Sequence, residues 1–137
     1  MKISARNQFA GKVVTVQNGA VNSVVTIDVN GTAVTATISN AAVEELALKE
    51  GSAATAVIKA TEVLVAKGDL QISARNKFAG KVASVEKGAV NAIVTLTTAI
   101  GDVTATISNA AVEELGLASG VEAVAVVKAT SVMVGIE

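Results

Sequence analysis

The chain has 137 residues, 51% of them apolar, with two Phe, no Trp, no Tyr, no Cys, no His and a net charge of -1. Disulfides, thiolate chemistry and the usual zinc, copper or haem ligands are therefore excluded. A charge so close to neutral gives no overall attraction for nucleic acid or for an anionic lipid surface.

Met1-Lys2-Ile3 runs directly into the first element. This predicts no signal peptide. No apolar run reaches the ~18 residues of a membrane span, so the expected location is cytoplasmic. Residues 10–17 alternate and are rich in Val, the pattern of a strand, and Gly19 offers a turn. The period-two pattern resumes over 23–29. Asn30-Gly31 is a hairpin signal, because both residues tolerate the positive φ that a two-residue turn requires. A third strand rich in Thr and Val is predicted over 33–38. The period then changes. Residues 40–48 hold Ala, Glu and Leu, which favour helix, with Val43, Leu46 and Ala47 on one face. Ser39 or Asn40 supplies the N-cap, and Gly51 is the expected stop. Strands over 53–60 and 62–66 complete the set, and Lys67-Gly68-Asp69 follows as a short link.

From Ile72 the chain says the same thing again. Residues 3–66 and 72–135 align without a gap at a constant offset of 69. Roughly 60% of the paired positions are identical, so the repeat is the first fact about the architecture. The hairpin tip has drifted, its glycine moving to Gly101-Asp102. The most faithful stretches are Ser4-Ala5-Arg6-Asn7 with Ser73-Ala74-Arg75-Asn76, residues 37–46 with 106–115, and Lys59-Ala60-Thr61 with Lys128-Ala129-Thr130. The expected organisation is a first domain at 1–67, a linker at 68–69 and a second domain at 70–137. Units of about 65 residues with almost no large side chains bury little surface alone, so pairing with each other or with further chains is expected. Five strands with one short helix between the third and fourth suit an all-β fold. Two tandem five-stranded Greek-key barrels of the oligonucleotide/oligosaccharide-binding (OB) type are predicted.

The side chains available for chemistry narrow the function. Catalysis is the weakest reading. There is no His to serve as base, and Glu44-Glu45 and Glu113-Glu114 are neighbours on a helix that point in different directions. Asp28 becomes Thr97 in the second copy. Single-strand nucleic-acid binding requires aromatic platforms in a basic groove, and Phe9 and Phe78 alone do not provide one. An oxyanion is better served. Ser4, Ala5 and Arg6 bring a hydroxyl, main-chain N–H groups and a permanent cation. Residues 39–42 open a helix whose free N–H groups favour an anion. Lys59 reads as a cation inside an apolar strand, which is costly unless it meets a counter-charge or water. The bland alternative is a structural or interaction module. In it Lys59 turns outward, Arg6 pairs with Glu44 or Glu45, and Ser39 is only a cap.

These residues also carry a family resemblance. Ser-Ala-Arg-Asn-x-Phe-x-Gly-x-Val from Ser4, Gly-Ala-Val-Asn from Gly19, Ile38-Ser39 and Lys59-Ala60-Thr61 resemble the Mop domain, and both copies carry the whole set. A chain of two such units resembles a molbindin of the di-Mop type. The resemblance implies a cytoplasmic protein that stores molybdate, with tungstate as a second ligand and no other cofactor. It implies barrels that exchange a strand, sites between barrels, and a homotrimer. Nucleic acid, membrane and catalysis are not implied. Carried over by motif, the pocket-forming positions are Ser4, Ala5, Arg6, Ser39, Ala42, Lys59 and Ala60. In the second copy they are Ser73, Ala74, Arg75, Ser108, Ala111, Lys128 and Ala129. A second kind of site near a threefold axis would draw on Gly19, Ala20, Val21 and Asn22, and on Gly88, Ala89, Val90 and Asn91.

Overall fold

In the computed structural model, which describes residues 1–137, the predicted strands form, the first three with longer ends and the last two shorter than the expected 53–60 and 62–66. β1 spans Asn7–Asn18, β2 Asn22–Val29 and β3 Thr32–Ser39, all antiparallel neighbours. The β2–β3 hairpin turns at Asn30 and Gly31, with φ of 51° and 85°. Alternation works as the sequence suggests. Val25, Ile27, Val34 and Ala36 point inward and are fully buried, while their neighbours are partly or fully exposed. A bulge between Val13 and Thr15 shifts the β1–β2 register, which bends the strand so that the sheet can curl. At Gly11 β1 passes so close to β2 that an added Cβ would lie 2.1 Å from the Asp28 carbonyl oxygen.

The helix α1 spans Asn40–Glu45, capped by the Ser39 side chain. It is shorter than the expected 40–48. The stop is not Gly51 but Ala47, which takes a φ of 50°. Leu48 then turns back into the core. β4 follows at Ala53–Ile58, and a 3-10 turn at Ala60–Glu62 that the sequence pattern did not reveal. β5 is Leu64–Ala66. The second copy repeats this order: β6 Asn76–Lys87, β7 Asn91–Thr98, β8 Gly101–Ser108, α2 Asn109–Leu115, β9 Glu122–Val127, a 3-10 turn at Ala129–Ser131 and β10 Met133–Gly135.

The last strand of each copy does not stay at home. One sheet runs β10-β4-β1-β2-β3 and the other β5-β9-β6-β7-β8. Thus β5 pairs with β9 of the second copy, and β10 pairs with β4 of the first. β10 also packs on β3, and β5 on β8, so each sheet curls toward closure on a borrowed strand. The all-β, five-stranded, tandem architecture is as expected, and the sequence repeats and the physical sheets divide the chain differently.

Two buried amides reinforce the exchange. Asn7 and Asn76 are each 1% exposed. The Asn7 Nδ2 donates to the Thr104 carbonyl at 2.8 Å, and the Thr104 N–H donates to Asn7 Oδ1 at 2.7 Å. Asn76 does the same to Thr35, with both bonds at 2.8 Å. Each side chain therefore satisfies the free edge of the other sheet's terminal strand, which would otherwise be a row of unpaired groups. One apolar core of 27 residues spans both halves.

Candidate functional site

At the start of β1 the chain Ile3-Ser4-Ala5-Arg6 runs beside the turn Lys59-Ala60-Thr61, and the two segments line a cavity of about 370 Å³. Asn7, seated against Ile58 by its side-chain amide at 3.2 Å, holds this approach in place. The remaining wall is Met133, on the strand borrowed from the second copy. The equivalent cavity, about 340 Å³, is lined by Ile72, Ser73, Ala74, Arg75, Lys128, Ala129 and Thr130, with Leu64 from the first copy. Ser4, Ala5, Arg6, Lys59 and Ala60 are thus brought together, as are Ser73, Ala74, Arg75, Lys128 and Ala129.

The charges in both cavities point one way. Neither lining contains an acid. The only ion pairs in the chain are Met1 with Glu137 and Lys87 with Glu113. Arg6, Arg75, Lys59 and Lys128 therefore have no carboxylate partner, and the alternative pairing of Arg6 with Glu44 or Glu45 does not form. Lys59 is not inside a strand, as the sequence pattern suggested. It lies just beyond β4 as the N-cap of the 3-10 turn, exposed and without a side-chain capping bond, and Lys128 does the same after β9. The strand ends two residues earlier than it reads, at Ile58, because Ala60 is buried by the turn and not by a continuing strand. Two larger grooves, of about 460 and 500 Å³, are less suited to an anion. One sets Lys81 against Asp69 and Glu122, and the other carries Glu137 and no cationic side chain.

Ser39, Ala42, Ser108 and Ala111 do not line either cavity. The Ser39 hydroxyl accepts from the Ala42 N–H at 3.1 Å, and Ser108 accepts from Ala111 at 3.0 Å. These pairs are helix N-caps within the chain. The Gly19–Asn22 and Gly88–Asn91 segments are tight turns, closed by the Gly19 N–H on the Asn22 carbonyl at 2.8 Å and by Gly88 on Asn91 at 2.7 Å. Their tips, Val21 and Val90, are 72% and 71% exposed. Asn40 and Asn109 tie them to the helix starts, donating to the Gly19 and Gly88 carbonyls at 3.0 Å each. In the first copy Ser23 also bridges Asn18 and Asn40. In the second the equivalent residue is Ala92, and the buried Asn109 Oδ1 has no donor.

The TOBE domain pattern matches residues 3–65 and again 72–134, nearly the whole chain. The chain belongs to the TOBE-domain family. Its relatives match either both copies or one. The molybdenum transport protein ModE of Herbaspirillum seropedicae is 42% identical over 141 residues, which cover 100% of this chain and 52% of that protein. The chain thus spans about half the length of that relative. The probable molybdenum-pterin-binding protein of Haemophilus influenzae is 56% identical over 66 residues, 47% of this chain and 96% of its own length. Among solved structures, ModG, described as a cytoplasmic molybdate-binding protein and crystallised with molybdate bound, superposes with a TM-score of 0.96. It is 41% identical, and the match covers 100% of both chains.

Proposed function

We propose that the chain binds molybdate, and tungstate as its close analogue, and buffers the anion in the cytoplasm without transforming it. The observation that carries this reading is the convergence, in each half, of an unpaired Arg and an unpaired Lys with a Ser hydroxyl on a cavity that holds no acid. Molybdate at neutral pH is a tetrahedral dianion that accepts hydrogen bonds and donates none. Guanidinium and ammonium groups supply charge-assisted bonds to it, and Ser4 or Ser73 adds a neutral donor. A lining without a carboxylate offers no anionic acceptor to a protonated phosphate. Donors spaced for a larger anion cannot all reach sulfate. The relatives named for molybdenum and molybdate support the same ligand.

In this reading the sequence modules 1–67 and 70–137, joined at 68–69, act as one binding unit, and three chains assemble as a homotrimer. Ser39 with Ala42, and Ser108 with Ala111, then complete the cavities from neighbouring chains. The turns 19–22 and 88–91 gather around the threefold axis as a second kind of site. Nucleic acid and membrane are not partners. No helix is long and apolar enough to cross a membrane.

The test is calorimetric titration of molybdate, tungstate, sulfate and phosphate into the wild type and the Lys59→Ala/Lys128→Ala double variant. Losing a charge-assisted bond of about 1.5–3 kcal/mol weakens affinity roughly ten- to hundredfold. Equal titrations for the two proteins would remove the site assignment while leaving the fold intact.

A further inference from the structure

The two halves are related by a pseudo-twofold axis. β5 lies on β9 and β10 on β4, Asn7 reaches Thr104 and Asn76 reaches Thr35, and each contact is its counterpart shifted by 69 positions. A residue that touches its own equivalent must therefore lie on that axis. One such contact is polar. The Ser131 hydroxyl donates to Glu62 Oε2 at 3.1 Å, across 69 positions. The flanking residues are the same in both copies: Lys59-Ala60-Thr61 and Val63 on one side, Lys128-Ala129-Thr130 and Val132 on the other. The two 3-10 turns differ at this one position, where the copies meet. Glu62 forms no ion pair.

We propose that Glu62 and Ser131 form a pairing code that makes a first repeat accept a second repeat across the axis and reject another first repeat. Two first repeats in this geometry would set Glu62 against Glu62, two carboxylates at contact distance with no cation between them, which is repulsive. Two second repeats would set hydroxyl against hydroxyl, which is tolerable. One carboxylate nevertheless suffices. Among identical chains, every first repeat denied its own kind must take a second repeat, and none is left over. The exchanged strands make the choice consequential, because β5 would pair as readily with β4 of another first repeat if only the strand sequences were read. Leu64-Val65-Ala66 and Met133-Val134-Gly135 are both short and apolar, and the positions they pair with, 55–57 and 124–126, differ only at Thr55 and Val124. Specificity of this kind is carried by a repulsive element as much as by an attractive one.

The full chain tests this, because its own connection holds the two turns face to face. S131E imposes the rejected contact. Glu62 is exposed, so the repulsion is screened by water; Tm at low ionic strength should fall by roughly 1–3 °C, and the loss should shrink in about 1 M salt, where the Debye length is short. S131Q, similar in size and uncharged, should stay near the wild type. E62S/S131E exchanges the two residues and should return Tm to the wild-type value. S131E as stable as the wild type would overturn the proposal. So would a double variant no more stable than S131E, since Glu at 131 would then harm the fold for reasons unconnected with Glu62.

Discussion

Asn7 makes three side-chain hydrogen bonds, two of them to the edge of the other sheet. Asn76 makes two, both to Thr35. Asn7→Ala leaves the Thr104 N–H and carbonyl without partners, and should cost about 2–3 kcal/mol in urea unfolding. Asn76→Ala should cost somewhat less, because it has no bond equivalent to the one on Ile58. A reversed order would mean that the third bond contributes nothing. The orphaned Asn109 Oδ1 allows a gain instead. Ala92→Ser restores the hydroxyl that Ser23 provides in the first copy, and should raise stability by about 1 kcal/mol; no gain would mean that the acceptor is already satisfied by water. The cations of the cavities were legible in the sequence, because Arg and Lys recur in segments with no repeated acid. Asn7 and Asn76 were visible as repeated residues, but nothing in a linear pattern separates an amide that bridges two sheets from one that faces water. The Ser39 and Ser108 hydroxyls were legible as caps, and within the chain that is the role they have.

At the level of elements, strands were easier to read than their ends. Alternation and the Asn30-Gly31 turn placed β2 and β3 to within a residue, since burial on one face enforces period two. The helix end was not legible. Ala favours helix, yet Ala47 holds the left-handed conformation that ends α1, where Gly116 serves α2 with a φ of 60°. A Cβ in that conformation is strained, by about 1–2 kcal/mol, against an entropic cost of roughly 0.5–1 kcal/mol for Gly. Ala47→Gly should therefore raise stability by about 0.5–1 kcal/mol and Gly116→Ala should lower it by a similar amount, both read by chemical denaturation. Opposite signs at the two positions are the expected result, and equal signs would contradict it. The 3-10 turns escaped detection for another reason. Three residues are too short to show a period, and Lys59-Ala60-Thr61 looks like the continuation of an apolar strand.

For the molecule as a whole, the repeat was plain in the sequence, and the barrels were legible from strand count and the position of the helix. The partners of β5 and β10 could not be read from pattern, because their short apolar sequences fit either sheet; only the family resemblance suggested an exchange. Its energetic consequence is cooperativity. Neither copy can unfold without stripping a strand and an edge-satisfying Asn from the other. Differential scanning calorimetry should show one transition with equal calorimetric and van't Hoff enthalpies. Two resolved transitions would mean that the copies are independent despite the shared strands. Each cavity also owes one wall to the opposite copy, Met133 or Leu64, so anything that frays β10 or β5 opens a cavity as well.

The borrowed strand also sets a timetable for synthesis. Ribosomes deliver the N-terminal half first, and such halves commonly fold as they emerge. Here the outer edge of β4, residues Ala53–Ile58, has no partner until Met133–Gly135 of the second copy arrive. Throughout elongation that edge is exposed in a half-built sheet, able to take the equivalent strand from a nascent neighbour on the same message. Crowded polysomes should therefore be where misassembly arises, and slow completion of the second half should be more harmful than slow completion of the first.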